Sequence, residues 1–196
     1  MGMVLTHMTM SLDGFIAGPN DQVDELFEWY EAGDIAMTSA NDDVAFNLDE
    51  AGAEAWRALT GRVGALVSGR RLFDITDGWG DNHPAGAPVV VVTHRPPDDA
   101  STRWPRTTFV EGVETAVAKA REIAGDDDVT IMSPNVIQQA LDLGLVDEVC
   151  VSLVPVLFGE GISYFGPLQH GHLLLEDPIV HPGRRALQLR YPVRRS

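Results

Sequence analysis

The chain has 196 residues, 44% of them apolar, and a formal net charge of −15. That length and apolar share suit one globular domain, residues 1–196, with a sizeable core. The charge argues against duplex nucleic acid and anionic lipid as partners, since each demands a broad basic face. No apolar run approaches the roughly 18 to 20 residues that span a bilayer, and "MGMVLTHMTM" lacks the basic start and apolar centre of a secretory signal. A single cysteine, Cys150, permits no internal disulfide, and its apolar surroundings predict a buried, inert thiol in a reducing compartment, the cytoplasm.

In chain order, a first strand is predicted at residues 3–10, ending in "SLDGFIAGPND", where glycines, a proline and an asparagine supply turn chemistry. Residues 20–48 are acidic and weakly periodic, which predicts a long excursion with short helical pieces and, by its length, a functional one. A helix is predicted at 49–60, a strand at 64–69 and a short helix from Arg70. The β-branched run at 89–93 predicts a strand buried on both faces, and "TTFVEG" a short one. Residues 113–124 place Val113, Ala116, Val117, Ala120, Ile123 and Ala124 on one helical stripe, stopped by Gly125. A strand at 129–132, a helix through "NVIQQALDLG", a longer strand "DEVCVSLVPVLF" and two strands near 172–180 and 186–192 complete the chain.

Alternating strands and helices predict an α/β sheet, mostly parallel and flanked by helices, with antiparallel C-terminal strands added at one edge. Ligands of such sheets bind beyond the carboxyl ends of the strands. Three corners satisfy that rule: Gly69–Arg71, Thr93–Arg95 and Met132–Asn135. At the first, glycine allows close backbone approach and Arg70 and Arg71 carry charge for a phosphate; an ordinary strand-to-helix turn explains the same residues. At the second, Thr93, His94 and Arg95 suit an adenosine phosphate or a plain polar strand end. At the third, Ser133 as N-cap and Pro134 at the first helical position explain themselves structurally, and proline removes one amide donor.

No lysine or arginine precedes Arg57, so any phosphate site is built from residue 57 onward. Asp13, Glu50 and Glu54 are candidate proton donors if partly buried, though most such carboxylates are solvated or capping. His170 and His172 share one strand face, but no third ligand stands nearby and no metal site is expected.

Taken together, "MSLDGFIAGPND", "LVSGRRLFD", "GWGDNHPAGAPVVVVTHRPP" and "VIQQALDLGLVDEVCVSLVPVLFGEG" resemble the dihydrofolate reductase superfamily, and more closely the reductase domain of bacterial riboflavin biosynthesis and its stand-alone relatives. The resemblance implies a dihydrofolate reductase-like fold, a small-molecule substrate and an NADPH site across the three corners. It places Gly69, Arg70 and Arg71 at the cofactor phosphates, Thr93, His94 and Arg95 near the adenosine phosphate, and Met132, Ser133, Asn135 and Val136 at the pyrophosphate corner. Asp13 matches the "SLDG" aspartate beside substrate and nicotinamide.

The sequence departs from the family at Leu72, where a threonine is usual, and at Met132 and Ser133, where a glycine pair is usual. Ala53 stands at the position of the folate-binding carboxylate, with Glu54 beside it, which argues against folate reduction. Two functions remain open. One is an NADPH-dependent reductase of a small heterocyclic or carbonyl substrate; the other is a non-catalytic ligand-binding member that has lost the pyrophosphate cradle. Pro155, within the late apolar strand, predicts an edge or bulge there and, with the habits of the relatives, a homodimer.

Overall fold

The computed structural model describes residues 2–194; residues 1, 195 and 196 of the expected domain lie outside them. The elements run β1 (Val4–Ser11), β2 (Phe15–Ala17), a 3₁₀ helix (Asp24–Glu31), β3 (Ile35–Met37), β4 (Phe46–Leu48), α1 (Glu50–Thr60), β5 (Val63–Gly69) and α2 (Arg70–Ile75). They continue with a left-handed turn (Asp77–Asp81), β6 (Val89–Val92), α3 (Ala100–Arg103), β7 (Thr108–Val110), α4 (Val113–Ala124), β8 (Asp128–Ile131) and α5 (Pro134–Asp142). β9 (Glu148–Val154), β10 (Ile162–Ser163), β11 (Ile179–Pro182) and β12 (Leu187–Pro192) close the chain.

Eight strands form one sheet in the order β11-β12-β9-β1-β8-β5-β6-β7. Pairing is parallel from β9 to β7 and antiparallel at β9-β12 and β12-β11, as the alternation of elements predicts. Among the described residues no helix is long and apolar enough to cross a membrane.

One face of the sheet buries its apolar row, including Val4, Val67, Val129 and Ile131, under α4 and α5. The α4 stripe is buried as its spacing requires, except Ile123, which lies at the stripe's margin and is exposed. Because side chains alternate across a strand, the other face carries Leu5, His7 and Thr9 of β1 beside Cys150 and Ser152 of β9. α1 and the 20–48 excursion cover part of that face. Asp49 caps α1, its carboxylate accepting the Gly52 amide at 2.8 Å, so the predicted start at 49 is the cap itself.

Three expectations are corrected. The late strand stops at Val154, because Pro155 cannot donate to a ladder, and β9 lies between β1 and β12 instead of at an edge. The strand expected from 172 begins only at Ile179, preceded by a single bridge, Leu175 to Val193. The excursion holds, besides its helical turn, a hairpin of β3 and β4 that seals an aromatic cluster of Trp29, Phe46 and Trp56.

Candidate active site

The three corners meet. Gly69 ends β5, and its amide donates to Ser133 Oγ at 2.9 Å, joining the first corner to the third. A Cβ at position 69 would lie 3.2 Å from Ser133 Cβ and 3.3 Å from Val136 Cγ2, so glycine lets β5 and α5 close on each other. The Arg70 guanidinium donates to the Arg95 carbonyl, joining first corner to second, while its Nε holds Asp74 at 2.7 Å. Thr93 Oγ1 accepts the Arg95 amide at 3.1 Å, and His94 Nδ1 meets Glu111 at 2.8 Å. Arg71 grips both oxygens of Asp21, at 3.1 and 2.6 Å, reaching into the excursion instead of standing free for an anion. Among the described residues no acid pairs with the Arg95 guanidinium, which is exposed.

Ser133 differs from the N-cap expected of it. It occupies the cap position, but its φ of 85° lies where glycine is favoured, and its hydroxyl turns to Gly69 instead of capping α5. The start of α5, with the amides of Asn135 and Val136, is therefore left without a side-chain cap. Met132 is 9% exposed and packs in the cluster of Leu66, Phe73 and Val91. Leu72 leans on the same cluster.

A cavity of about 940 Å³ runs past these corners, touching Gly69–Leu72, Thr93, His94, Gly112 and Met132–Val136. This is toward the upper end of ligand-pocket volumes, which run to about 1,000 Å³. Its other end is polar and aromatic, with His7, Tyr30, Trp56, Trp79, His83 and Thr130. Burial pushes the His7 imidazole down to about 4 and that of His83 to about 3, the second also opposed by charge on His7. Both are neutral at pH 7.

A backbone hydrogen bond fixes the tautomer of His83. His83 Nδ1 accepts the Ala85 amide at 3.1 Å, so its proton sits on Nε2. His7 Nε2 shares a hydrogen bond with Ser152 Oγ at 3.1 Å, and Ser152 Oγ in turn meets the Gln188 amide at 2.6 Å. Thr130 Oγ1 is buried with no partner among the described residues. The cavity's polar end thus holds the His83 Nε2–H and the His7 ring, with the Thr130 hydroxyl buried behind them.

Trp79 reaches the cavity through an unusual backbone. Asp77 to Asp81 all have positive φ, between 49° and 63°. Such strain persists only where surroundings enforce it. Arg103 binds the Asp77 carboxylate at 2.7 Å, and Asp81 takes the Arg106 amide at 2.8 Å and the Thr107 hydroxyl at 2.9 Å. Asn41 Nδ2 bonds the Trp79 and Asn82 carbonyls, at 3.1 and 2.9 Å, and the Trp79 ring stands edge-on to His83, centroids 4.7 Å apart.

Asp13 lies elsewhere. It is exposed and absent from the cavity wall, and its oxygens accept the Ser11 hydroxyl at 2.6 Å and the amides of Phe158 and Gly159 at 3.2 and 2.7 Å. Those bonds, the Ser11 one foremost, hold its carboxyl below the usual carboxylate range. The geometry makes it the anchor of the 158–159 turn. His7, Trp79, His83 and Thr130 were missed from sequence. Alternation along β1 carried a signal for His7, whereas nothing local distinguishes His83 in "DNHPAG".

The RibD C-terminal domain family model matches residues 3–178. No curated protein matches the chain significantly by sequence. A crystal structure of a protein assigned to riboflavin biosynthesis, from Shewanella sp. PV-4, is similar with a TM-score of 0.73 at 23% identity, covering 98% of this chain and 99% of that one. A dihydrofolate reductase from Enterococcus faecalis, complexed with NADP(H) and RAB-propyl, is similar with a TM-score of 0.61 at 14% identity, covering 98% and 96%. At those identities the two structures establish the fold, which is dihydrofolate reductase-like; the family match extends over nearly the whole chain, and the chain belongs to the RibD C-terminal domain family.

Proposed function

We propose that the protein is an NADPH-dependent reductase of a small heterocyclic or carbonyl substrate, related to the riboflavin-pathway reductases and acting in the cytoplasm, where its buried single thiol suits the redox conditions. The observation that carries the reading is one cavity joining the three corners to the neutral pair His7 and His83. Family membership supports a reductase role.

The residues present fit the dinucleotide. Ser133 takes a positive-φ backbone of the kind glycine favours, Met132 is packed in the core cluster, and α5 presents an uncapped N-terminus suited to an anion. Gly69, Arg70, Thr93, His94, Asn135 and Val136 would hold it, with Arg95 reading the additional phosphate that distinguishes NADPH from NADH. When bound, the cofactor supplies a hydride to a polarised C=N or C=O carbon.

The chain's own groups orient the acceptor. His83 offers Nε2–H to a substrate heteroatom, and the neutral His7 ring stands beside it as a second polar contact. Since burial keeps both rings neutral, they polarise and align the acceptor without storing a proton as imidazolium at pH 7, and the heteroatom takes its balancing proton from solvent as the product leaves. Trp79 and Tyr30 wall this end against water, and Asp13 serves indirectly by fixing the 158–159 turn. A homodimer through the outer strand β11 belongs to the same reading.

Titration with NADPH and, separately, NADH, followed by nicotinamide fluorescence, tests it. Saturable binding with preference for NADPH is expected. Binding of neither favours the other reading, a ligand-binding protein that kept the fold after Leu72, Met132 and Ser133 replaced the phosphate-binding residues.

A further inference from the structure

Charge is distributed unevenly along the large cavity. Among the described residues, the charged side chains on its wall are Asp21, Arg70 and Arg71, and all three belong to the corner end, where Arg71 grips Asp21 and Arg70 holds Asp74. The end that holds His7 and His83 has none. Its wall is Phe27, Tyr30, Val44, Trp56, Leu59 and Trp79, supplied by the 3₁₀ helix, the segment before β4, α1 and the left-handed turn.

Most of these side chains line the cavity instead of filling the core. Phe27 is 38% exposed, and Tyr30, Val44, Leu59 and Trp79 are half-buried. Apolar groups left open on a concave wall mark a surface that a ligand covers. The rings of Phe27 and Tyr30 lie 5.1 Å apart, and Trp79 stands edge-on to His83. Trp79 is held there at a cost in backbone strain. Three non-glycine residues, Asp77, Trp79 and Asp81, take positive φ, and Asn41 clasps the Trp79 and Asn82 carbonyls.

An ion entering this end would lose water and meet no opposite charge, since both imidazoles are neutral at pH 7. A flat uncharged ring avoids that cost and gains contact with the aromatic wall. The Ala85 amide fixes the His83 proton on Nε2, which gives the site a donor suited to a carbonyl oxygen.

We propose that this end of the cavity binds a flat, uncharged aromatic carbonyl compound, its ring against Trp79, Tyr30 and Phe27 and its oxygen on His83 Nε2–H, in preference to an anion of the same shape. The proposal rests on the reductase reading for calling this compound the substrate, whereas its binding is measured without turnover.

Equilibrium dialysis of the full chain against 2-acetonaphthone, and separately against 2-naphthoate, tests it, each with and without saturating NADP⁺. The two probes share a ring system and a count of non-hydrogen atoms and differ in charge. The expected result is one-site saturable binding of the ketone, at least about tenfold tighter than that of the naphthoate, and weakened at least about tenfold in Trp79→Ala and about threefold in Phe27→Ala. Circular-dichroism melting establishes that each variant is folded, and Phe27→Ala, at an exposed position, decides the matter if Trp79→Ala is not. No saturable binding of the ketone under either condition, equally tight binding of the naphthoate, or undiminished ketone binding by the folded variants overturns the proposal. The titration with NADPH is a separate measurement: ketone binding without NADPH binding defeats the reductase reading alone, and NADPH binding without ketone binding defeats this proposal alone.

Discussion

The Gly69 amide and the Ser133 hydroxyl, 2.9 Å apart, bind the end of β5 to the start of α5 and set the width of the corner where a dinucleotide would lie. A methyl at position 69 meets Ser133 Cβ at 3.2 Å and Val136 Cγ2 at 3.3 Å, so α5 must give by a few tenths of an ångström. Gly69→Ala is expected to weaken NADPH binding about tenfold while costing about 1–2 kcal/mol of stability. Fluorescence titration beside calorimetric melting separates the two effects, and unchanged affinity would remove this corner from the cofactor site.

Arg71 is held by Asp21 in an ion pair whose side chains are 71% and 26% exposed. Such pairs contribute about 0–1 kcal/mol, so Asp21→Asn should leave the melting temperature nearly unchanged. It frees a guanidinium beside the cavity, and NADPH affinity should rise about two- to fivefold at low salt, the gain shrinking as salt is added. Titrations at two ionic strengths measure this; an equal gain at both would point to a cause other than charge.

Met132→Gly has opposite consequences in the two pictures of the third corner. If Met132 obstructed a phosphate, the variant would bind NADPH better. Its side chain instead packs with Leu66 and Phe73 and is 9% exposed, so the expected result is a loss of about 3–5 kcal/mol and no gain in affinity. Urea unfolding and the same titration read both quantities.

His7 and His83 make stability depend on pH. Their folded values, about 4 and about 3, lie below the 6.5 of an exposed imidazole, so between those limits the unfolded chain binds more protons. The stability associated with neutral burial is complete above about pH 6.5 and is lost as pH falls, by at most about 1.4 kcal/mol per pH unit for each ring. Melting between pH 7.5 and pH 5, chosen to stay above most carboxylate titrations, should show this slope, and His7→Gln with His83→Gln should flatten it.

The sheet ends in β11, an unpaired edge whose Ile179 and Val180 are 49% and 46% exposed. An exposed apolar edge strand is a template for pairing with a second copy. Light scattering should give about twice the 21.3 kDa of the chain, and Val180→Lys should return it to 21.3 kDa. A wild-type mass of one chain would dispose of the dimer.

The order of elements was legible because burial imposes its period on sequence. The valine run became β6, buried from Val89 to Val91; the stripe from Val113 to Ala124 became α4; and Ser-Pro before "NVIQQAL" marked the start of α5. The corners were legible for the same local reason, since glycines and arginines at strand ends declare themselves within a few residues. Asp13 shows what a local reading leaves out, since the amides of Phe158 and Gly159 that its carboxylate accepts lie far along the chain.

Sequence by itself therefore determined the fold class and the strand-end positions of the three corners. Only tertiary structure decided that Met132 belongs to the core, that Ser133 takes a glycine-like backbone, and that Asp21 occupies Arg71. It alone brought His7 and His83 to one cavity and put the His83 proton on Nε2 through the Ala85 amide. The reason is physical: periodicity and turn chemistry act over a few residues, whereas burial, tautomer and charge pairing depend on neighbours supplied by distant segments, which no local pattern encodes.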